Sequence, residues 1–439
     1  MEWQEEYKRK LVSAEEAVRQ IVPGDRVVFQ DGPEPERLGH ALAARRGQLR
    51  NVQVIVPCPM IDFGWYDGAA EGGFAVRALW DSPLLAHDAS GLAQKGAAHR
   101  PKFRDAYARS LQVWGPPPGG NDVFVTRVSP PDEHGLCFLG HSVWDKKDRA
   151  TSARLVLAEV DPRLARTYGD SFLHVSDVHH FVEADASRPL SSTHAYSEAV
   201  PEYARKIAAH LRELVEDGDT IQLGAGPTCS ALPLAGAFEG KSDLGVHTET
   251  LAGSLLRLAQ QRVVTGERKT LHRHRIVASE VVGTEADLAW AANNPIVELR
   301  SLGYVADPAV VAKHDHMLAI NEATAIDLTG QISASHGGTR NGPAWGAANF
   351  AVGALLARGG RSVFVMPAMR NSVSSIVVNL DPIAEITVTR TAADLVITEY
   401  GVASLIGKSQ RERAMELIAL AHPDVREELT RQARKLFWP

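Results

Sequence analysis

Cysteine is scarce in this sequence of 439 residues, and long apolar runs are missing. Its cysteines, Cys58, Cys137 and Cys229, are far apart and lack metal-ligand spacing, which argues against a disulfide framework and indicates reduced thiols. No apolar run approaches the length of a membrane-spanning helix, and the charged first residues have no apolar core of a signal peptide behind them. We therefore expect a cytoplasmic protein with no membrane partner.

Familiar signatures of catalytic and metal sites are also absent. There is no Gly-x-Ser-x-Gly turn of a serine hydrolase, and the Gly-x-Gly loop at 224–226 lacks both the third glycine of a dinucleotide fingerprint and the lysine of a P-loop. Histidine clusters at 179–180, 272–274 and 314–316 have no partner at ligand spacing, so we interpret them as solvated polar faces. A net charge of −6 argues against nucleic-acid binding. We expect no metal.

What the sequence does contain is typical of a large α/β enzyme. Hydrophobic residues make up 44% and charged residues 23%, as in ordinary globular proteins, and the length exceeds that of one comfortable core. Short apolar stretches alternate with helical patterns, which predicts mostly parallel sheets. The predicted strands include residues 26–29, 51–56, 123–128, 154–160, 220–223, 317–320, 361–366 and 394–398.

Two pairs of segments repeat at nearly one offset. Residues 25–33 and 219–227 share an Asp, a strand and a Gly-Pro pair, and Gly226 follows Gly32 by 194 residues. Gly330 likewise follows Gly135 by 195 residues, each after an Asp and a strand. This spacing indicates an internal duplication, with one α/β domain over 1–190 and a second over 191–439. The boundary falls in a polar, Pro-containing linker.

An acid follows one predicted strand. The stretch 244–250 is apolar and ends in His, Thr and Glu, directly before a helical pattern that starts at Leu251. Because ligands and reacting groups gather at the carboxyl ends of strands in open α/β sheets, Glu249 is a candidate catalytic residue. The alternative is an ordinary acid in the first turn of the helix, where the dipole favours an anion.

Two glycine-rich loops are candidate binding segments. The loop 224–228 lies between a strand and a helix, so its backbone N–H groups can face an anion, although a simple tight turn is the alternative. The loop 333–350 is long and dense in glycine, which favours a binding site over the alternative of a surface loop. Cys229, after the first loop, is read as a buried filler rather than a nucleophile.

Several short motifs occur together in one order. They are Ser129–Gly135, Leu223–Gly226, Leu244–Glu249, Asn293–Glu298, Asp327–Gln331, Thr398–Val402 and Ala421–Asp424. In this combination the chain resembles the acetyl-CoA hydrolase/transferase family over nearly its whole length, in particular the 4-hydroxybutyrate and butyryl/acetate CoA-transferases. The resemblance implies an α/β fold of two similar, open, mostly parallel-sheet domains of CoA-transferase type that face each other across the active site.

The resemblance also implies the residues of that site. Glu249 corresponds to the catalytic glutamate, the Ala225 N–H to an oxyanion donor, and Gly346 to a second donor. The further residues that it suggests for binding CoA or substrate are Gln222, Gly224, Gly226, Asn294, Trp345, Asn349, Phe350 and Lys408.

The implied reaction moves CoA from an acyl-CoA to a small carboxylic acid, by ping-pong kinetics through a glutamyl-CoA thioester on Glu249. No tightly bound cofactor is expected, because CoA and its esters are the substrates, and the family suggests a homodimer. Acyl-CoA hydrolysis through the same residue, or binding of CoA esters without turnover, are the alternatives.

One segment departs from the family pattern. Relatives carry Ser-Gly-Val-Gly-Gly-Gln-Val-Asp-Phe where this chain has residues 342–350, with Pro343 and Trp345 in place of glycines and Ala347 in place of the Gln. Trp345 adds bulk and Pro343 removes an N–H group. We therefore expect the acyl pocket or the second oxyanion donor to differ from those of the relatives.

Overall fold

The structure, a computed structural model, describes residues 2–65, 74–78, 120–187, 198–334, 346–382 and 384–438. The chain divides into two compact units, the first made of residues 1–195 and 290–303, the second of residues 196–289 and 304–439. Within the described ranges, every helix is too short or too polar to cross a membrane.

The first unit contains a parallel sheet of six strands. In their spatial order the strands are β3 (Phe74–Ala78), β2 (Val52–Val56), β1 (Arg26–Phe29), β4 (Val123–Val128), β6 (Leu155–Val160) and β9 (His180–Glu183). Its other elements are α1 (Glu2–Lys10), α2 (Ala14–Ala17), α3 (Glu36–Ala44), β5 (Leu136–Phe138), α4 (Lys146–Ser152), β7 (Tyr168–Gly169), β8 (Phe172–His174) and β13 (Val297–Leu299).

The second unit contributes seven strands to one sheet, all parallel except the last hairpin. Their spatial order is β12 (Ile276–Val282), β11 (Gly245–Ala252), β10 (Thr220–Leu223), β14 (Met317–Glu322), β17 (Arg361–Val365), β21 (Leu395–Thr398) and β22 (Gly401–Ser404). The short strands are β15 (Ala325–Asp327), β16 (Ile332–Ser333), β18 (Met369–Arg370), β19 (Val373–Ser374) and β20 (Ile376–Val377).

Helices cover these strands along the later part of the chain. They are α5 (Glu202–Leu214), α6 (Pro227–Ala231), α7 (Gly253–Gln260), α8 (Glu285–Ala291), α9 (Leu302–Val305), α10 (Pro308–Val311), α11 (Ala347–Leu356), α12 (Gln410–Leu420) and α13 (Pro423–Phe437). The apolar spacing of residues 410–437 predicts two helices broken at His422 and Pro423, and α13 begins at Pro423.

Both sheets reverse their direction of growth at one place. In the first unit the chain builds β1, β2 and β3 to one side and then places β4 on the other side of β1. In the second unit it builds β10, β11 and β12 before placing β14 on the other side of β10. Strands β1 and β10 begin 194 residues apart, as do β4 and β14. The α/β class with two large, mostly parallel sheets is therefore confirmed, and the offset in the sequence marks a shared topology.

The central strands form because their residues can be buried on both faces. Every residue of β4, β6 and β14 is buried, as is typical of parallel strands covered by helices. One core cluster of the second unit gathers Phe364 of β17, Ile326 of β15 and Leu417 of α12, all fully buried. The predicted strands agree with the observed ones to within a residue or two at each end.

Two expectations about local structure are wrong. The residue pattern over 13–21 predicts a single opening helix, but this segment is divided between α2 and a 3₁₀ turn over Val18–Gln20, after the separate helix α1. The strand that carries Glu249 runs on to Ala252, and its helix begins at Gly253 rather than Leu251. The strand continues because Thr250 and Leu251 still pair with β12, a long-range contact that local sequence cannot reveal. The domain boundary at 190–191 lies outside the described residues and remains a prediction.

Burial in the second unit gives a direct test of the fold. Leu417→Ala removes a fully buried side chain from the core cluster and should lower the free energy of unfolding by about 2–5 kcal/mol, because a cavity is left behind. The same substitution at Leu356, which is 69% exposed at the end of α11, should change it by less than about 0.5 kcal/mol. Urea unfolding of both variants measures the difference, and equal losses would contradict this packing.

Candidate active site

Glu249 lies within β11 and is almost completely buried, with 6% of the residue exposed. Because side chains alternate along a strand, it projects from the same face as His247, while Thr248 and Thr250 project from the other. The Thr250 hydroxyl donates to Glu280 on the neighbouring strand. The first-turn alternative is therefore wrong, since Glu249 precedes the helix and belongs to the sheet.

The carboxylate of Glu249 meets the start of a different helix, α11. The backbone N–H of Gly346, the N-cap residue of α11, donates to Glu249 Oε2 at 2.9 Å. A Cβ on Gly346 would lie 2.5 Å from Oε2 and 3.2 Å from the ring of Phe350, so a larger residue here would displace the carboxylate. The positive end of the helix dipole favours an anion at this position. The structure thus brings together Glu249, Gly346 and Phe350, and the N–H that the sequence assigns to an oxyanion donor contacts Glu249 itself.

The Gly-Ala-Gly loop leaves the carboxyl end of β10, at the point where the second sheet reverses. Gly224 packs so closely on β14 that a Cβ would lie 2.7 Å from Asn321 Oδ1. Gln222 and Asn321 exchange two amide hydrogen bonds, each 3.1 Å long. Gly226 has a φ of 126°, which L side chains rarely adopt. Ligands bind preferentially at such a reversal point in open α/β sheets.

A threonine joins this loop to the strand of Glu249. Backbone pairing between β10 and β11 covers only Thr220 to Gly245 and Ile221 to Val246. Beyond it, the Thr248 hydroxyl donates to Leu223 O at 3.1 Å and accepts from Leu223 N at 3.3 Å. The hydroxyl of Thr248 thus takes the place of backbone pairing between the end of β10 and β11, one residue before Glu249.

The remaining predicted residues are distributed over several places. Asn349 is buried on α11 and donates to Ala306 O at 2.8 Å, while Lys408 is ion-paired with Glu416 at 2.5 Å. Asn294 belongs to the first unit, in a turn where its side chain accepts from Ile296 N. Trp345, Pro343 and the rest of the altered loop up to residue 345 lie outside the described residues.

Ala225 and Cys229, in and after the Gly-Ala-Gly loop, differ in their exposure. Ala225 is partly exposed, and its N–H makes no hydrogen bond that the described part of the chain shows. Cys229 is fully buried, and this burial raises the pKa of its thiol well above the usual value. Such a thiol is a poor nucleophile, which supports its interpretation as a buried filler.

Sequence reasoning missed two residues beside the loop. Glu322, the last residue of β14, accepts from the backbone N–H groups of Thr228 and Cys229, and Arg370 pairs with its carboxylate. Neither belongs to a recognised motif. The only available signal was the position of Asn321 and Glu322 at the end of β14, the strand that repeats β4.

One group of acids and a histidine has the geometry of a metal site. Ligand atoms of Glu216, Asp219 and His316 lie within 4.8 Å of one another. Arg361 already pairs with Asp219, and its guanidinium lies 3.5 Å from Glu216. The guanidinium of Arg361 therefore already supplies a positive charge beside these two carboxylates.

The expectation of solvated histidines is wrong at His314. His314 and His247 are both fully buried, with ring centroids 4.5 Å apart. His247 Nε2 lies 2.8 Å from Val305 O, so we assign the proton to that nitrogen. Burial, together with the nearby ammonium of Lys269, lowers the pKa of His314 to about 3, and burial lowers that of His247 well below 6.5. Both imidazoles are neutral in the folded protein.

These two histidines predict an acid-sensitive stability. Below pH 6.5 the unfolded chain takes up a proton at each residue, whereas the folded protein does so only at much lower pH. The contribution of the two histidines to the free energy of unfolding should therefore be complete above pH 6.5. As the pH decreases below that value, each histidine should lower the free energy of unfolding by about 1.4 kcal/mol per pH unit. His314→Leu should reduce the slope between pH 6 and 5 by one such increment, measured by urea unfolding.

The control is His134→Leu, which removes an exposed histidine and should leave the slope unchanged. An unaltered slope in the His314 variant would contradict the buried neutral pair.

Known proteins provide the context for this geometry. The N-terminal domain of the acetyl-CoA hydrolase/transferase family matches residues 1–191, and the C-terminal domain matches residues 283–433. The chain is 36% identical to 4-hydroxybutyrate coenzyme A transferase of Clostridium kluyveri, with 100% of both chains covered. It is 34% identical to succinyl-CoA:cyclohexane-1-carboxylate CoA transferase of Geobacter metallireducens, over 99% of this chain and 97% of the relative.

Solved structures agree with this assignment. RipA from Yersinia pestis matches with a TM-score of 0.85 and 30% identity over 99% of both chains. The 4-hydroxybutyrate CoA-transferase from Porphyromonas gingivalis matches with a TM-score of 0.76 and 31% identity, over 99% of this chain and 100% of the other. The order of strands, the sequence motifs and these matches lead to one conclusion: the chain belongs to the acetyl-CoA hydrolase/transferase family.

Proposed function

We propose that this CoA-transferase moves CoA from an acyl-CoA to a free carboxylic acid through a covalent thioester on Glu249. One observation carries the proposal: a buried carboxylate is held by the Gly346 N–H at the start of α11, on the strand beside the Gly-Ala-Gly loop. The glycine against its oxygen and the Gly-Ala-Gly loop after the neighbouring strand support this proposal.

The proposed chemistry uses the negative charge of Glu249 throughout. Its carboxylate attacks the thioester carbonyl and the carbon–sulfur bond breaks. The CoA thiolate is released, and an acyl-glutamyl anhydride is formed. The thiolate then attacks the glutamyl carbonyl, which releases the donor acid and forms the glutamyl-CoA thioester. An acceptor carboxylate repeats both steps in reverse and regenerates Glu249. Each step exchanges one anion for another, so no net proton transfer is required.

Two backbone N–H groups would act on the reacting atoms. Gly346 orients Oε2 of Glu249 from the N-cap of α11. Ala225, between two glycines at the reversal point of the sheet, is the proposed donor to the oxyanion that forms on the thioester carbonyl. A preorganised donor of this kind contributes roughly a hundredfold to a thousandfold in rate. The CoA-transferase relatives act on several different acids. Assays with a panel of acyl-CoA donors and acceptor acids would therefore identify the substrates of this protein.

A covalent adduct on Glu249 tests the mechanism. The protein is incubated with acetyl-CoA, butyryl-CoA or succinyl-CoA, treated with hydroxylamine or borohydride, and digested for mass spectrometry. The peptide that holds Glu249 should carry the hydroxamate or the reduced product, and Glu249→Ala should lose both the adduct and the transfer of CoA.

Glu280→Gln is the matched control, because Glu280 is also buried and lies on the adjacent strand. It should still form the adduct on Glu249. No adduct with any donor would refute the covalent mechanism, and an adduct that decays without an acceptor acid would indicate hydrolysis instead.

The contact between Gly346 and Glu249 gives a second prediction. Gly346→Ala places a Cβ 2.5 Å from Oε2, so the carboxylate must move and adduct formation should slow by roughly tenfold to a hundredfold. Gly353→Ala on the same helix is the control, since its Cβ would collide with Val311 instead. It should reduce stability but not the rate per folded molecule. Rapid quenching with acetyl-CoA measures the rate, and equal slowing in both variants would contradict a specific role of Gly346.

A further inference from the structure

Two anchors flank the proposed oxyanion donor, and both lie on β14. On the upstream side, Gly224 N donates to Ile320 O at 2.8 Å. On the downstream side, Glu322 Oε2 accepts from Thr228 N at 2.7 Å and from Cys229 N at 3.3 Å. Ala225 lies between these attachments, next to Gly226 with its positive φ. The position of its N–H therefore depends on how firmly each end of the loop is held.

The downstream anchor is a buried charge. Glu322 is 2% exposed as a residue, and its side chain is completely buried. Pro227 has no N–H, so Thr228 and Cys229 supply the first backbone donors of α6 after the loop. Hydrogen bonds to an ionised carboxylate are shorter and stronger than those to a neutral acceptor. A buried carboxylate is expensive unless other groups satisfy it, which makes its partners part of the anchor.

Arg370 supplies the opposite charge. Its guanidinium pairs with Glu322 Oε1 at 2.5 Å, so the two carboxylate oxygens are divided between the arginine and the loop. Arg370 lies in the β18–β19 hairpin and its side chain is 31% exposed. The ion pair thus joins the hairpin after β17, the end of β14 and the glycine loop after β10.

We infer that Glu322, held by Arg370, is a positioning residue that fixes the Ala225 N–H for the transition state. This inference rests on the proposed function. Glu322 does not touch the reacting atoms; it acts through Thr228 and Cys229 on the loop that carries the donor. Its loss should therefore reduce the rate of the chemical step and leave the binding of the acyl-CoA nearly unchanged.

The test compares Glu322→Gln with a matched variant at the amino ends of the same strands. The introduced glutamine keeps the length of the side chain but has only one accepting oxygen, so it loses either the hydrogen bonds to the loop or the contact with Arg370. Asp219→Asn is the control. Asp219 is a buried carboxylate that accepts from Glu216 N at 2.7 Å and pairs with Arg361, at the amino end of β10. Both variants lose one buried ion pair, but only Glu322 holds the loop.

Adduct formation on Glu249 is followed by rapid quenching of the full-length protein with increasing acetyl-CoA, butyryl-CoA or succinyl-CoA, using whichever loads the unaltered protein fastest. In Glu322→Gln the rate at saturation should fall by about tenfold to a hundredfold, and the half-saturating concentration should stay within about threefold. Asp219→Asn should lower the urea midpoint and keep the saturating rate within about twofold.

Arg370→Gln provides an independent measurement, because it leaves Glu322 in place and introduces an amide that can still donate to the buried carboxylate. It should show the same loss of rate. A wild-type rate in Glu322→Gln or in folded Arg370→Gln, or an equal loss in Asp219→Asn, would overturn the positioning role. If the unaltered protein forms no adduct on Glu249, the proposed function itself fails, and the two failures are thereby distinguished.

Discussion

The parallel pairing of β10 with β14 is the constraint on which the candidate site depends. These strands are consecutive in space but separated in the chain by β11, β12, β13 and the helices between them. Because the sheet grows in opposite directions from this pair, the connections after β10 and β14 diverge and leave their carboxyl ends open. The reciprocal amide bonds of Gln222 and Asn321 fix the pair at that open end. The glycine loop, Thr248 and Glu322 all take their positions from it.

The two units use the same reversal point for different purposes. Arg127 of β4 is placed like Asn321 of β14, 194 residues later, but it is buried in an ion cluster with Asp161 at 2.9 Å and Glu159 at 3.2 Å. Burial raises the pKa of Glu159 to about 7. Arg127 also donates to Glu34 O, so one side chain connects three segments of the first unit by charge-assisted hydrogen bonds. In the second unit a neutral amide pair occupies that place, and backbone N–H groups of a glycine loop lie beside it.

Much of this architecture could be predicted from the residues. Strands such as β4, β14 and β17 each contain a short apolar run between polar or turn residues, so their existence and approximate limits follow from local pattern. The repeated Gly-Pro pairs predicted one topology used twice, and the ordered motifs indicated the family. Prediction failed at His314 and at the end of β11, since the environment of each is made by distant segments. Local sequence cannot show that β12 extends the strand of Glu249 or that His247 covers His314.

The sequence by itself determined that Glu249 follows an apolar stretch, that a Gly-Ala-Gly loop follows another, and that two α/β halves repeat. These features depend on neighbouring residues and on local backbone preferences. Only the tertiary structure decided that Glu249 meets the N-terminus of α11 rather than that of its own helix. It alone also decided that Glu322 and Arg370 hold the loop. Both results come from contacts between residues about fifty to a hundred positions apart in the chain, and their geometry depends on strand order, which no local pattern encodes.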